Sequence, residues 1–150
     1  MKISLGCDEA AYQLKETIKQ HLQKAGHEVI DNGVGEGEVD LYPDVAVRTC
    51  KKVTDGTCDR GILVCGTGIG MAMTANKVPG IRAAVCHDPF STERSILSND
   101  ANVMCMGARV IAPQLALYLL DIWMGLTFKN GPSTPKVERI MEYQKEFCGK

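Results

Sequence analysis

Gly61-Ile62-Leu63-Val64-Cys65-Gly66-Thr67-Gly68-Ile69-Gly70-Met71-Ala72 is the stretch from which the fold is read. A short apolar run delivers a cysteine, turns on three glycines at alternate positions, and passes into residues of helical character up to Asn76-Lys77. Strand, glycine turn and helix in direct succession make half of a β-α-β unit. A continuous apolar strand of this kind belongs to a parallel sheet buried on both faces. The turn also gathers backbone N–H groups at a helix start into a concavity suited to an anion. Cys65 stands at its lip.

Working outward, the same alternation repeats along the chain. Strands are predicted at Lys2–Cys7, His27–Asp31, Arg60–Cys65, Ile81–Cys86 and Asn102–Met106. Between them, Ala11, Leu14, Ile18 and Leu22 fall at helical spacing, with Lys15, Lys19 and Lys24 on the opposite, solvent-facing side and Gly26 as the stop. Tyr42-Pro43-Asp44 opens a helix whose inner stripe is Val45, Ala46, Thr49 and Val53. Gly68–Lys77 is the helix after the glycine turn, and Asp88-Pro89 reads as N-cap and first position of another, running to about Leu97. Ala112, Leu115, Ala116, Leu119, Leu120 and Trp123 form an apolar stripe, and Lys136–Phe147 a final amphipathic helix. Right-handed crossovers turn this order into a doubly wound, three-layer α/β fold: a five-stranded parallel sheet with helices on both faces. A single domain over residues 1–150 is expected.

Composition narrows the function. A formal net charge of -1 gives no support to nucleic-acid or membrane-surface binding through bulk charge. The N-terminus reads as a strand start rather than a signal peptide. The longest apolar run, Leu115–Leu126, is interrupted by Asp121 and is too short to span a bilayer. Seven cysteines, an odd number without a Cys-x-x-Cys pair, indicate neither a disulfide framework nor a zinc site. Most read as small buried hydrophobes in a cytoplasmic protein; Cys65 is the exception. Met71, Met73, Met104 and Met106 read as packing residues.

The glycine turn admits three chemistries. A dinucleotide fingerprint needs Gly-x-Gly-x-x-Gly after the first strand; here Gly66-x-Gly68-x-Gly70 follows the third. A cysteine phosphatase needs arginine six residues after the cysteine, where Met71 stands. The third is proton transfer beside a carbonyl, which needs a base and preorganised donors for an enediolate. Cys65 is the candidate base, since a helix N-terminus favours a thiolate. The amides of Gly66, Thr67, Gly68, Ile69 and Gly70 are the candidate oxyanion hole, and the Thr67 hydroxyl a relay between oxygens. This chemistry requires no metal and no cofactor. The strand ends also place Asp8-Glu9, His87-Asp88 and Arg109 on the same rim of the sheet.

With these residues in view, the chain resembles the ribose-5-phosphate isomerase B and galactose-6-phosphate isomerase family over nearly its whole length. The likeness rests on Gly6-Cys7-Asp8, Tyr42-Pro43, Cys65-Gly-Thr-Gly-Ile-Gly70, Ala75-Asn76-Lys77, Asn99-Asp100-Ala-Asn102 and Gly107-Ala-Arg109. It implies a metal-free aldose–ketose isomerase of a sugar phosphate, working as a homodimer or tetramer with its active site between subunits. It implies Cys65 as base and Thr67 in the anion hole. Asp8, Tyr42 and Asn99 would hold sugar hydroxyls, and Arg109 would reach a phosphate across the dimer. Three positions depart from the pattern. Glu9 and Ser98 stand where the family usually has histidine, one at the phosphate and one as ring-opening proton donor. Pro132 and Lys136 stand where it has two arginines, which leaves Arg109 and Lys136 as cationic phosphate contacts. Ribose 5-phosphate is the default substrate. A tetrose or hexose phosphate, a free sugar, or a non-catalytic binding module of the same fold are the alternatives. His87 is an ordinary rim residue on this reading, or a substitute ring opener.

Overall fold

β3 (Arg60–Cys65) is the middle strand of the sheet in the computed structural model, which describes residues 1–148. Around it run β1 (Lys2–Cys7), β2 (Glu28–Asp31), β4 (Ala83–Val85) and β5 (Val103–Gly107), in the order β2-β1-β3-β5-β4. Every pairing is parallel, and Cys65 stands opposite Gly107 in the register. The helices are α1 (Tyr12–Lys24), α2 (Tyr42–Thr54), α3 (Ile69–Ala75), α4 (Pro89–Leu97), α5 (Pro113–Gly125) and α6 (Thr134–Cys148).

The strand period of two sends alternate side chains of β3 into two cores. Ile62 and Val64 join Ile18, Leu22, Ile96, Leu119 and Trp123, contributed by α1, α4 and α5. Leu63 and Cys65 join Val45, Ala46, Cys50, Met71 and Ala75, contributed by α2 and α3. This is the doubly wound, three-layer architecture predicted from the alternation of elements. The Ala112–Trp123 stripe belongs to the first core, with Ala116, Leu119, Leu120 and Trp123 fully buried.

Three local expectations need correction. β4 starts at Ala83 rather than Ile81, because side-chain amides capture its first backbone groups. Arg82 N–H donates to Asn102 Oδ1 (2.8 Å), and Asn76 exchanges two hydrogen bonds with the backbone of Ala83. Lys15 is buried at 2 % exposure rather than solvent-facing. Its ammonium donates to the Val34 carbonyl and pairs with Asp31 and Glu16 at 2.9 and 3.0 Å. Burial opposes its charge, yet the hydrogen bonds it donates to these two carboxylates hold its pKa above the ordinary lysine value. Lys15 thereby pins the glycine-rich loop after β2 to α1. Met73, read as a packing residue, is 66 % exposed.

Candidate active site

Cys65 ends β3 with only 6 % of its surface exposed, and the chain turns directly beneath it. Gly68 has φ of 78°, the left-handed region that glycine adopts without steric cost. A methyl group there would also lie 3.0 Å from the Met106 backbone carbon. This conformation aims the Gly68 N–H at Cys65 Sγ, at 3.1 Å. The sulfur thus faces a backbone donor at the mouth of the turn. Elsewhere in the core, burial pushes the thiol of Cys7 on β1 up to about 11 and that of Cys50 on α2 up to about 12.

β5 holds the turn from the other side. Ala108 N–H donates to the Cys65 carbonyl (2.8 Å) and Arg109 N–H to the Gly66 carbonyl (3.0 Å). The expectation of five free amides is corrected. Gly68 N–H is committed to the sulfur, and Ile69 N–H to Thr67 Oγ1 at 3.3 Å. Among the described residues, the amides of Gly66, Thr67 and Gly70 have no backbone partner and remain for an anion.

These groups open into a cavity of about 550 Å³ lined by Asp8, Glu9, Ala10, Tyr42, Cys65, Gly66, Thr67, Ile69, Gly70, Met73 and Arg109. Asp8 arrives from the end of β1, its carboxylate capping the one-turn 3-10 helix Glu9–Ala11 through Ala10 N–H at 3.1 Å. Burial, then the charge of Glu9, pushes its carboxyl above the ordinary aspartate range, against the pull of Ala10 N–H and Arg109. Tyr42 arrives at the start of α2, and its ring lies so close to Gly70 that an added methyl would meet it at 2.7 Å. The Arg109 side chain packs over Gly66 of its own chain, with Nη1 3.6 Å from where a Gly66 methyl would stand. Arg109 therefore lines the cavity of its own chain.

Ser98, Asn99 and Lys136 are not brought to this cavity. Ser98 is the C-cap of α4, and its N–H donates to the Arg94 carbonyl. Asn99 Nδ2 donates to the same carbonyl at 3.0 Å, and Asn99 faces the groove between β4 and α6. Lys136 lies in the first turn of α6. His87 does not line the cavity either, and its Nε2 accepts the Gly107 N–H at 2.9 Å. Ala10, which the sequence does not mark, and Met73, expected to be a packing residue, also line the cavity. Ala10 carries no chemical signal, whereas Met73 was findable as the helical neighbour of Ile69 and Gly70, four and three residues back.

The model of the ribose/galactose isomerase family matches residues 3–140. The chain belongs to the ribose/galactose isomerase family. Among its relatives, a ribose-5-P isomerase B of Listeria innocua is 49 % identical over 146 residues, covering 97 % of this chain and 99 % of the relative. A D-erythrulose-4-phosphate isomerase of Pectobacterium atrosepticum is 48 % identical over 147 residues and covers 97 % of each chain. The solved ribose-5-phosphate isomerase B of Clostridium thermocellum superimposes with a TM-score of 0.95 at 44 % identity, covering 98 % of this chain and 99 % of that one. As a member of the ribose/galactose isomerase family, this chain is an aldose–ketose isomerase.

Proposed function

We propose that this isomerase interconverts ribose 5-phosphate and ribulose 5-phosphate through an enediolate formed over Cys65. The observation that carries the reading is the Gly68 N–H on Cys65 Sγ, beside the partnerless amides of Gly66, Thr67 and Gly70. The thiolate takes the proton from C2 of the open-chain aldose. The C–H electron pair forms the C1–C2 double bond, and the carbonyl pair moves to O1, where the free amides stabilise the negative charge. O1 gains a proton and O2 loses one, with the Thr67 hydroxyl as relay. The carbonyl then forms at C2, and Cys65 returns its proton to C1. Asp8 and Tyr42 hold sugar hydroxyls, and Arg109 attracts the phosphate.

The working unit is a homodimer or tetramer in the cytoplasm, with the active site completed by a second subunit. Two observations support this. Ser98, Asn99 and Lys136 lie away from the cavity of their own chain. Around its mouth, Leu41, Ile69 and Met73 are exposed at 70 %, 56 % and 66 %, apolar surface that a partner would cover. The expected result of mixing Cys65→Ala with Asn99→Ala subunits is partial recovery of activity, since one composite site would then be intact. No described helix is long and apolar enough to cross a membrane.

A four-carbon sugar phosphate is the second reading, favoured by Glu9. The cavity holds two carboxylates, Asp8 and Glu9, and one cation, Arg109, so a phosphate near Glu9 is repelled. A shorter sugar keeps its phosphate elsewhere along the cavity. Solvent deuterium exchange beside the carbonyl tests both readings. Exchange into ribose 5-phosphate supports the first. Exchange confined to a tetrose phosphate supports the second, and exchange into neither removes both.

A further inference from the structure

His87 lies one strand away from the cavity, yet its hydrogen bond is directed at the backbone that supports it. β4 ends at Val85, and Cys86 N–H makes the last backbone bond of that edge, to the Cys105 carbonyl at 2.9 Å. Beyond it, the outward N–H of Gly107 has no strand to pair with. The imidazole of His87 fills the gap, and Nε2 accepts that N–H at 2.9 Å. The proton of the neutral ring therefore sits on Nδ1. Asp88 fixes the backbone that presents the ring, because its carboxylate caps α4 through the Ser91 N–H at 2.7 Å.

Gly107 is the contact point between this bond and the reactive turn. It stands opposite Cys65 in the β3–β5 register. A methyl group on it would lie 2.7 Å from both Cα and the carbonyl carbon of Thr67, so its backbone touches the turn with no side chain between. The next two amides, of Ala108 and Arg109, hold the Cys65 and Gly66 carbonyls. A tilt of the Gly107 peptide would thus move Thr67, the Cys65–Gly66 backbone and the start of Arg109 together. We infer that His87 is a positioning residue for the isomerase site: its Nε2 lone pair fixes the Gly107 peptide, and through it the Cys65–Thr67 turn. Burial lowers the His87 pKa, with Asp88 opposing, which is consistent with a ring that works in its neutral form.

The test compares the wild type with His87→Leu, which removes the acceptor, and His87→Gln, whose side-chain oxygen reaches the Nε2 position. Two readouts are taken: ribose 5-phosphate kinetics, and the rate at which iodoacetamide alkylates Cys65, followed by mass spectrometry of its peptide. The expected result for leucine is a fall in kcat of up to about a hundredfold, the scale of an ångström-sized misplacement. KM should change much less, and Cys65 alkylation should slow as Gly68 N–H loses its aim at the sulfur. Glutamine should restore both. A leucine variant with wild-type kcat and alkylation overturns the inference, as does a glutamine variant that behaves like leucine. If leucine prevents folding, His87→Asn, polar but too short to reach Gly107, takes its place with the same expectations. The kinetic arm rests on the isomerase reading and the alkylation arm does not. A wild type without turnover removes that reading, while equal alkylation in all variants removes the role of His87.

Discussion

The Cys65 half of the cavity is held by main-chain hydrogen bonds, whereas the half formed by Asp8, Glu9 and Arg109 is made of side chains that follow two strands, β1 and β5. In the first, Gly68 N–H meets the sulfur, and the amides of Ala108 and Arg109 fix the carbonyls of Cys65 and Gly66. These contacts depend on backbone path, which tolerates few residues: a side chain at Gly68 would meet the Met106 backbone. In the second, the charge balance follows from residue identity alone, and a single replacement reverses it. On the proposed mechanism, the reaction type is therefore built into the fold, and the choice of sugar is left to exchangeable rim residues.

The contrast is broken most directly by removing the base. Cys65→Ala should lower kcat by about 10²–10⁴-fold, the usual contribution of a positioned base, while calorimetry shows sugar phosphate still binding. Turnover close to wild type would move the base elsewhere and dissolve the distinction between the halves. Arg109→Ala tests the other half. Loss of a charged hydrogen-bond donor costs about 1.5–3 kcal/mol, so KM should rise roughly tenfold to a hundredfold with a smaller change in kcat. A kcat effect as large as that of Cys65→Ala would show that Arg109 belongs to the reaction half.

Smaller effects sharpen the comparison. Glu9→His together with Pro132→Arg should lower KM for ribose 5-phosphate, with about 1 kcal/mol available per attractive charge pair near 4 Å in a water-like medium. An unchanged KM would place the phosphate away from both positions. The smallest expected effect is on stability. The folded pKa of His87 lies below its ordinary value of 6.5, so the unfolded chain takes up the proton first. The contribution is fully present above 6.5 and is lost as pH falls through the lower folded value. Denaturant titrations at stepwise lower pH should show this loss in the wild type and not in His87→Gln.

Much of the fold was legible because its signals are local. β1 and β3 have the predicted bounds, and the alternation of strand and helix dictated a parallel sheet covered on both faces. Helix α6 begins at Thr134 rather than Lys136, since a proline in the first turn, Pro135, is compatible with a helix start. Part of the site was legible for the same reason: strand ends in such a sheet converge on one rim, and Asp8, Cys65 and Arg109 line one cavity there. The burial of Lys15 was not legible, because its carbonyl partner comes from a loop nineteen residues away. Nor was the division of labour among the amides of residues 66–70. The direction of an N–H follows from φ at Gly68, and a sequence states only that glycine permits it.

By itself the sequence determined the kind of sheet, the glycine turn at one end of it, and the cysteine that precedes that turn, because periodicity and glycine spacing act within a few residues of themselves. Only the tertiary structure decided which amides face the sulfur and which stay free for an oxyanion. Only it separated Ser98, Asn99 and Lys136 from the cavity, and tied His87 to Gly107. Those outcomes depend on where segments distant in the chain come to rest against one another, and hydrogen-bond direction through space is not encoded in any local pattern.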